Sequence, residues 1–334
     1  MLNVILLIVS LGIILLGAQV FTNGIEWLGK KLNLAEGAVG SILAAVGTAL
    51  PETMIPVIAI LFGGVEEGGH DIGIGAILGA PFMLSTLAFF LAGVAGYLYR
   101  NRRESIIMRV DPEVMGRDLF FFLLVYTVAI LAAFVRVWEI RAVIACGLVV
   151  AYIIYVFFTL RSEKTLGDDH ELNPLFFARN HISPPLYRVV LQVLFALGLI
   201  IFGADIFVEE IKILATAWGV PPFILALIIA PIATELPEKF NSIIWIGQGK
   251  DTLALGNITG AMVFQSSLIP ALGILLTDWS LTKLALLSAV LALASSCLVY
   301  YELKVKKHLT PPMLMVGGIF YLVFFICVVT GVVR

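Results

Sequence analysis

Charge is scarce in this 334-residue chain, with Asp, Glu, Lys and Arg together making up 13%, about half the share usual in a soluble domain. Cysteine is scarcer still. Cys146, Cys297 and Cys327 all sit inside apolar runs, where a thiol packs as a small apolar side chain, so a disulfide-rich secreted fold is excluded. There is no G-x-S-x-G, H-E-x-x-H, Walker A or dinucleotide fingerprint, and hence no signature of an enzyme or of a resident cofactor. A net charge of -2 leaves no basic surface for nucleic acid. What is abundant is apolar surface: 60% of residues are hydrophobic and mean hydropathy is +1.05. One soluble core could not hide that much. The composition is that of a polytopic integral membrane protein whose surroundings are lipid.

A spanning helix needs about 20 apolar residues. Runs of that kind cover 2–22, 34–63, 70–99, 117–136, 139–160, 184–210, 218–247, 251–277, 281–301 and 312–333. Alternation of the β-barrel type is absent. The expected fold is an all-α bundle of ten transmembrane helices. The first run starts at Leu2 without a basic segment before it, and is expected to be a span and not a cleaved leader. Most Lys and Arg fall on one side of that arrangement; the other side carries only Arg136, Arg141, Lys212, Lys283 and Arg334. Positive loops stay cytoplasmic, which puts both termini outside a plasma or inner membrane. The polar stretch from Arg161 to Pro185 reads as a linker.

The chain repeats itself. Thr48, Leu50, Pro51 and Glu52 align with Thr234, Leu236, Pro237 and Glu238 at one constant offset, and the same offset aligns Gly17-Ala18 with Gly203-Ala204. GHDIGIGAILGA from Gly69 matches GKDTLALGNITGA from Gly249 after one small length change. The expected organisation is a first five-helix repeat at 1–165, a linker at 166–183 and a second five-helix repeat at 184–334. An odd number of spans per copy inverts the second copy in the membrane, an arrangement that puts a transport site at the midplane.

Carboxylates inside spans cost roughly 2.5–3.5 kcal/mol each on insertion scales and mark function by default. Glu52, Glu235 and Glu238 lie well inside apolar segments. Pro51, Pro231 and Pro237 stand beside them, each lacking the N–H owed to the fourth carbonyl back. Broken helices are expected there, with freed carbonyls beside Thr hydroxyls and Glu carboxylates. A set of hard oxygens without nitrogen or sulfur suits Ca²⁺ or Na⁺ and not Zn²⁺ or Cu. Two carboxylates neutralise one divalent cation. Without it, two like charges would be buried unless Na⁺ or H⁺ relieved them, and a site that moves only when neutral exchanges one cation for another. Glu235 has two readings, an ion pair with Lys239 four residues on or an added ion or proton site. Gln265 is read as a ligand or as an interhelical hydrogen-bonding group.

GTALPE (47–52) and ATELPE (233–238) resemble the two α-repeats of the calcium/cation antiporter superfamily, the sodium/calcium exchangers in particular. GNITGAMVFQSSL (256–268) resembles the segment that follows each repeat. The resemblance covers essentially the whole chain. It implies a secondary active antiporter moving Ca²⁺, or a similar divalent cation, against Na⁺. Glu52 and Glu238 would be central ligands, Thr48 and Thr234 would add oxygens, and the carbonyls of Ala45 and Pro231 would line flanking Na⁺ sites. The chain departs from the family pattern at Ala49, Ala76, Ala80, Leu84, Glu235, Ala261 and Gln265, losing side-chain oxygens and gaining a carboxylate. An H⁺-coupled exchanger of the same fold therefore stays open, as does a non-transporting membrane scaffold.

Overall fold

A computed structural model describes residues 2–31, 50–64, 68–102, 107–162, 173–178 and 183–331. Their regular structure is helical, apart from one isolated bridge between Met108 and Leu309. In chain order the helices are α1 (Leu2–Lys31), α2 (Leu50–Phe62), α3 (Gly69–Met83), α4 (Phe89–Leu98), α5 (Pro112–Leu131) and α6 (Trp138–Ser162). After them come α7 (Leu186–Trp218), α8 (Pro222–Gly247), α9 (Asp251–Leu276), α10 (Lys283–Lys306) and α11 (Pro311–Thr330). A π-helical turn, Leu84–Ala88, joins α3 to α4, so Gly69–Leu98 is one span.

Among the described residues, 8 helices are long and apolar enough to cross a membrane. They correspond to eight of the expected runs. The other two, 34–63 and 218–247, are the runs that carry the carboxylates. Residues 32–49 lie outside the described residues, and α2 supplies the end of the first run. In the second, the apolar stretch found among the described residues is Pro222–Glu235. Its helix nevertheless runs unbroken from Pro222 to Gly247 through Pro231 and Pro237, contrary to the expected breaks.

The packing of α3 against α8 explains how Pro231 is accommodated. Pro231 has no N–H for the Leu227 carbonyl. A Cβ on Gly79 would lie 2.3 Å from that carbonyl oxygen and 2.7 Å from Pro231 Cγ. Glycine therefore lets α3 approach the carbonyl that the proline leaves without its amide donor, a close crossing of the kind small residues permit in membranes. Gly79→Ala should cost about 1–3 kcal/mol through overpacking. It should lower the unfolding temperature in detergent, whereas Gly12→Ala, whose Cβ would meet nothing within 4 Å, should not.

Two clusters of apolar side chains form the core. The smaller joins α1 and α7, with parts of α2, α3 and α8, around Ile14, Ile58, Ile72, Ile200 and Phe207. The larger joins α3 to α6 with α8 to α11, around Phe82, Phe122, Met262 and Trp279. The α1–α7 contact is reciprocal. A Cβ on Gly17 would meet Ile200 at 2.9 Å and the Ala196 carbonyl at 3.3 Å, and one on Gly203 would meet Ile14 at 2.8 Å and the Ser10 carbonyl at 3.1 Å. On the lipid side, Val143, Ile153, Ile319, Leu322 and Val329 are exposed, as expected of helices whose backbone groups are satisfied internally.

Of the expected linker 166–183, residues 173–178 and Ser183 are described, and the first of these pieces is docked. Asn173 O accepts from Asn23 Nδ2 (3.2 Å) and Trp27 Nε1 (2.9 Å). The Phe176 and Phe177 amides donate to Asn23 Oδ1 (3.3 Å) and Gln192 Oε1 (2.9 Å). Leu175 is buried with Trp27 and Val189. An apolar residue and buried amide acceptors thus fix this segment onto α1 and α7.

Candidate functional site

Glu52 of α2, Ala76 and Ala80 of α3, and Ala230, Pro231 and Thr234 of α8 line one narrow cleft. Helical spacing explains the α8 contribution. Ala230, Pro231 and Thr234 recur at i, i+1 and i+4 and so share one face. Thr234 is buried, and its Oγ1 donates to Ala230 O at 3.0 Å. That bond uses the hydroxyl proton and leaves the oxygen's lone pairs for another partner. Glu52 is partly buried. Pro56, inside α2, has no N–H to give the fourth residue back.

Of the residues expected at the site, Glu52, Pro231 and Thr234 are brought together. Glu238 follows Thr234 by one helical turn on α8, but its side chain lies outside the described residues, as do Thr48 and Ala45 altogether. Among the described residues no group of three or more His, Cys, Asp or Glu could hold a metal ion.

Glu235 and Gln265 do not line the cleft. Glu235 is one residue past Thr234, which turns its side chain about 100° around α8, toward α9. There Gln265 Nε2 donates to Glu235 Oε1 at 3.2 Å. Lys239 Nζ lies 3.3 Å from Glu235 Oε2, an ion pair without the alignment of a hydrogen bond. Lys239 Nζ also donates to Asn257 Oδ1 at 3.1 Å. Glu235 and Lys239 side chains are 1% and 2% exposed, so neither charge is shared with water. Of the two readings of Glu235, the geometry is that of the i,i+4 ion pair.

A second buried carboxylate was not singled out from the sequence. Asp118, in α5, accepts from Thr259 Oγ1 of α9 (2.7 Å) and Tyr155 Oη of α6 (3.1 Å), with Arg117 Nη2 at 3.4 Å. Its position at the edge of the 117–136 run made it look like a span-end residue. Its contacts tie three helices together away from the cleft. Asp251 opens α9 just after its cap residue, and its Oδ2 accepts from the Arg109 amide at 2.8 Å, which anchors the segment before α5.

Comparison with known proteins identifies the family and the fold. The sequence profile of the sodium/calcium exchanger protein family matches residues 2–161 and 188–333. The putative antiporter CaxA of Alkalimonas amylolytica is 24% identical over 271 residues, 81% of this chain and 79% of that protein. The sodium/calcium exchanger MaX1 of Methanosarcina acetivorans is 24% identical over 320 residues, 86% of this chain and 87% of that protein. A solved structure of the H⁺/Ca²⁺ exchanger CAX superposes with a TM-score of 0.76 at 17% identity, covering 98% of this chain and 82% of that one. The profile spans both halves of the chain and the fold is that of the solved exchanger. The chain therefore belongs to the sodium/calcium exchanger protein family, an integral membrane family of cation exchangers and not of enzymes.

Proposed function

We propose that this chain is a secondary active antiporter that moves Ca²⁺, or a similar divalent cation, against a monovalent cation. The observation that carries the reading is the cleft, where Glu52 of α2 and Thr234 of α8 face each other with Glu238 one turn further along α8. In this reading Glu52 and Glu238 share one dehydrated divalent cation. Thr48 and Thr234 add oxygens, and the carbonyls of Ala45 and Pro231 complete the shell. Oxygen-only coordination is what Ca²⁺ requires. The empty site would bury like charges, so it returns across the membrane only when monovalent cations replace the divalent ion. Ten spans in two inverted five-helix repeats, 1–165 and 184–334 around a 166–183 linker, give the site its symmetry. The reciprocal seating of Gly17 and Gly203 at the shared offset supports that arrangement. Both termini lie outside, with the protein in the plasma or inner membrane.

Na⁺ is the counter-ion the resemblance implies, and the relative MaX1 is named for sodium/calcium exchange. H⁺ is a second reading, favoured by one observation: Ile55, Ala76, Ala80 and Ala230 leave the cleft walls without side-chain oxygens beyond Glu52 and Thr234 among the described residues. Proteoliposomes with each gradient imposed alone decide between them. Ca²⁺ uptake driven by an outward Na⁺ gradient at equal pH gives Na⁺ coupling, and uptake driven only by a pH gradient gives H⁺ coupling. Absence of Ca²⁺ flux under both gradients would leave the non-transporting scaffold and overturn the proposal.

A further inference from the structure

The charge count around α2 and α8 contains a term that the cleft alone does not reveal. Glu52, Glu235 and Glu238 bring three negative charges to these helices, and Lys239 returns one positive charge. Lys239 is 2% exposed, pairs with Glu235 at 3.3 Å and donates to Asn257 at 3.1 Å. Gln265 holds the other Glu235 oxygen at 3.2 Å. Both α9 partners are neutral, so they orient the pair without changing its charge. A buried ammonium beside a buried carboxylate is a fixed arrangement, because removing either partner leaves the other unpaired in a medium of low dielectric.

We propose that Lys239 is a tethered counter-cation of the transport centre, one that holds its net charge at minus two so that a single divalent cation neutralises it without a companion monovalent ion. The inference rests on the antiporter reading above. Lys239 acts through Glu235 and is therefore a positioning residue. If its charge is removed, the centre carries minus three, and a bound Ca²⁺ leaves one negative charge buried. The divalent ion then crosses only with an added monovalent cation. Removing the Glu235 charge as well restores the balance.

The test is Ca²⁺/Ca²⁺ exchange of radiolabelled Ca²⁺ in proteoliposomes at alkaline pH, where protons are scarce, first in choline chloride and then in NaCl. Wild type should exchange in both salts. Lys239→Met should slow by about tenfold or more in choline, as expected for an uncompensated buried charge, and recover in NaCl. The double variant Glu235→Gln/Lys239→Met should exchange independently of Na⁺, close to the wild-type rate. Lys239→Met exchanging at the wild-type rate in choline overturns the proposal. So does equal impairment in both salts with no rescue by the double variant, which is the behaviour of a purely structural pair. Where Lys239→Met does not yield folded protein, Glu235→Gln takes its place. It should be slow in both salts and be rescued by the double variant, and a wild-type rate for it overturns the proposal. Failure of wild type to exchange Ca²⁺ at all removes the antiporter reading itself, a distinct result from an unaffected Lys239→Met.

Discussion

Glu52→Gln should abolish divalent cation transport while leaving the protein folded. The substitution keeps the shape of the side chain, removes its charge and turns one acceptor oxygen into an NH2 donor. In the proposed centre Glu52 is one of two carboxylates that replace the hydration of a divalent ion. Truncating one partner of a desolvated charge pair costs about 2–5 kcal/mol, so Ca²⁺ flux in proteoliposomes should fall by about thirtyfold or more. Glu52 is partly buried, lies on the wall of the cleft and faces Thr234 of a different helix. The unfolding temperature in detergent should therefore stay close to that of wild type, and Ca²⁺, which should raise it in wild type by binding the folded state, should leave it unchanged in the variant.

Asp118→Ala should have the opposite profile. Asp118 is 2% exposed and receives bonds from Thr259 at 2.7 Å and Tyr155 at 3.1 Å, with Arg117 at 3.4 Å. Removing it leaves two hydroxyls and a guanidinium without their shared acceptor. Breaking a buried pair of this type costs about 3–5 kcal/mol, and each orphaned donor adds to that cost. The loss should appear as a large fall in unfolding temperature. Protein that remains folded at low temperature should still show a Ca²⁺-dependent rise in stability, because Asp118 is not among the residues that line the cleft. A variant that kept its stability and lost the Ca²⁺ response would instead make Asp118 part of the ion pathway.

These two acids illustrate what the sequence discloses and what it does not. Glu52 was legible because its motif occurs twice, and a charge deep in an apolar run has few innocent explanations. The pairing of Glu235 with Lys239 was legible as one of two readings because i,i+4 spacing is a local property. The rest depends on neighbours remote in the chain. That Asn257 receives a bond from Lys239 and that Gln265 donates to Glu235 follows from how α9 rotates against α8, which no local pattern encodes. Asp118 was passed over because it sits at the edge of an apolar run, while its partners Tyr155 and Thr259 are on other helices.

The expected helix breaks in α8 failed for a related reason. Proline removes a hydrogen bond wherever it occurs, but whether the helix breaks depends on what else meets the orphaned carbonyl. At Pro231 that is Gly79 of α3, so the ladder defect is absorbed by a close helix crossing and α8 stays continuous. The docked segment 173–178 was read as a linker because it lies within the polar stretch from Arg161 to Pro185. Its backbone groups are nevertheless met by Asn23, Trp27 and Gln192, polar residues whose positions on α1 and α7 become neighbours only in the folded bundle.

The central claim is that Glu52 and Glu238 bind one divalent cation jointly. Calorimetric titration of the purified protein with Ca²⁺ tests it most directly, using wild type, Glu52→Gln and Glu238→Gln under identical conditions. The expected result is one Ca²⁺ per chain in wild type and no measurable binding in either variant. Binding of Ca²⁺ at wild-type affinity by either glutamine variant would contradict it.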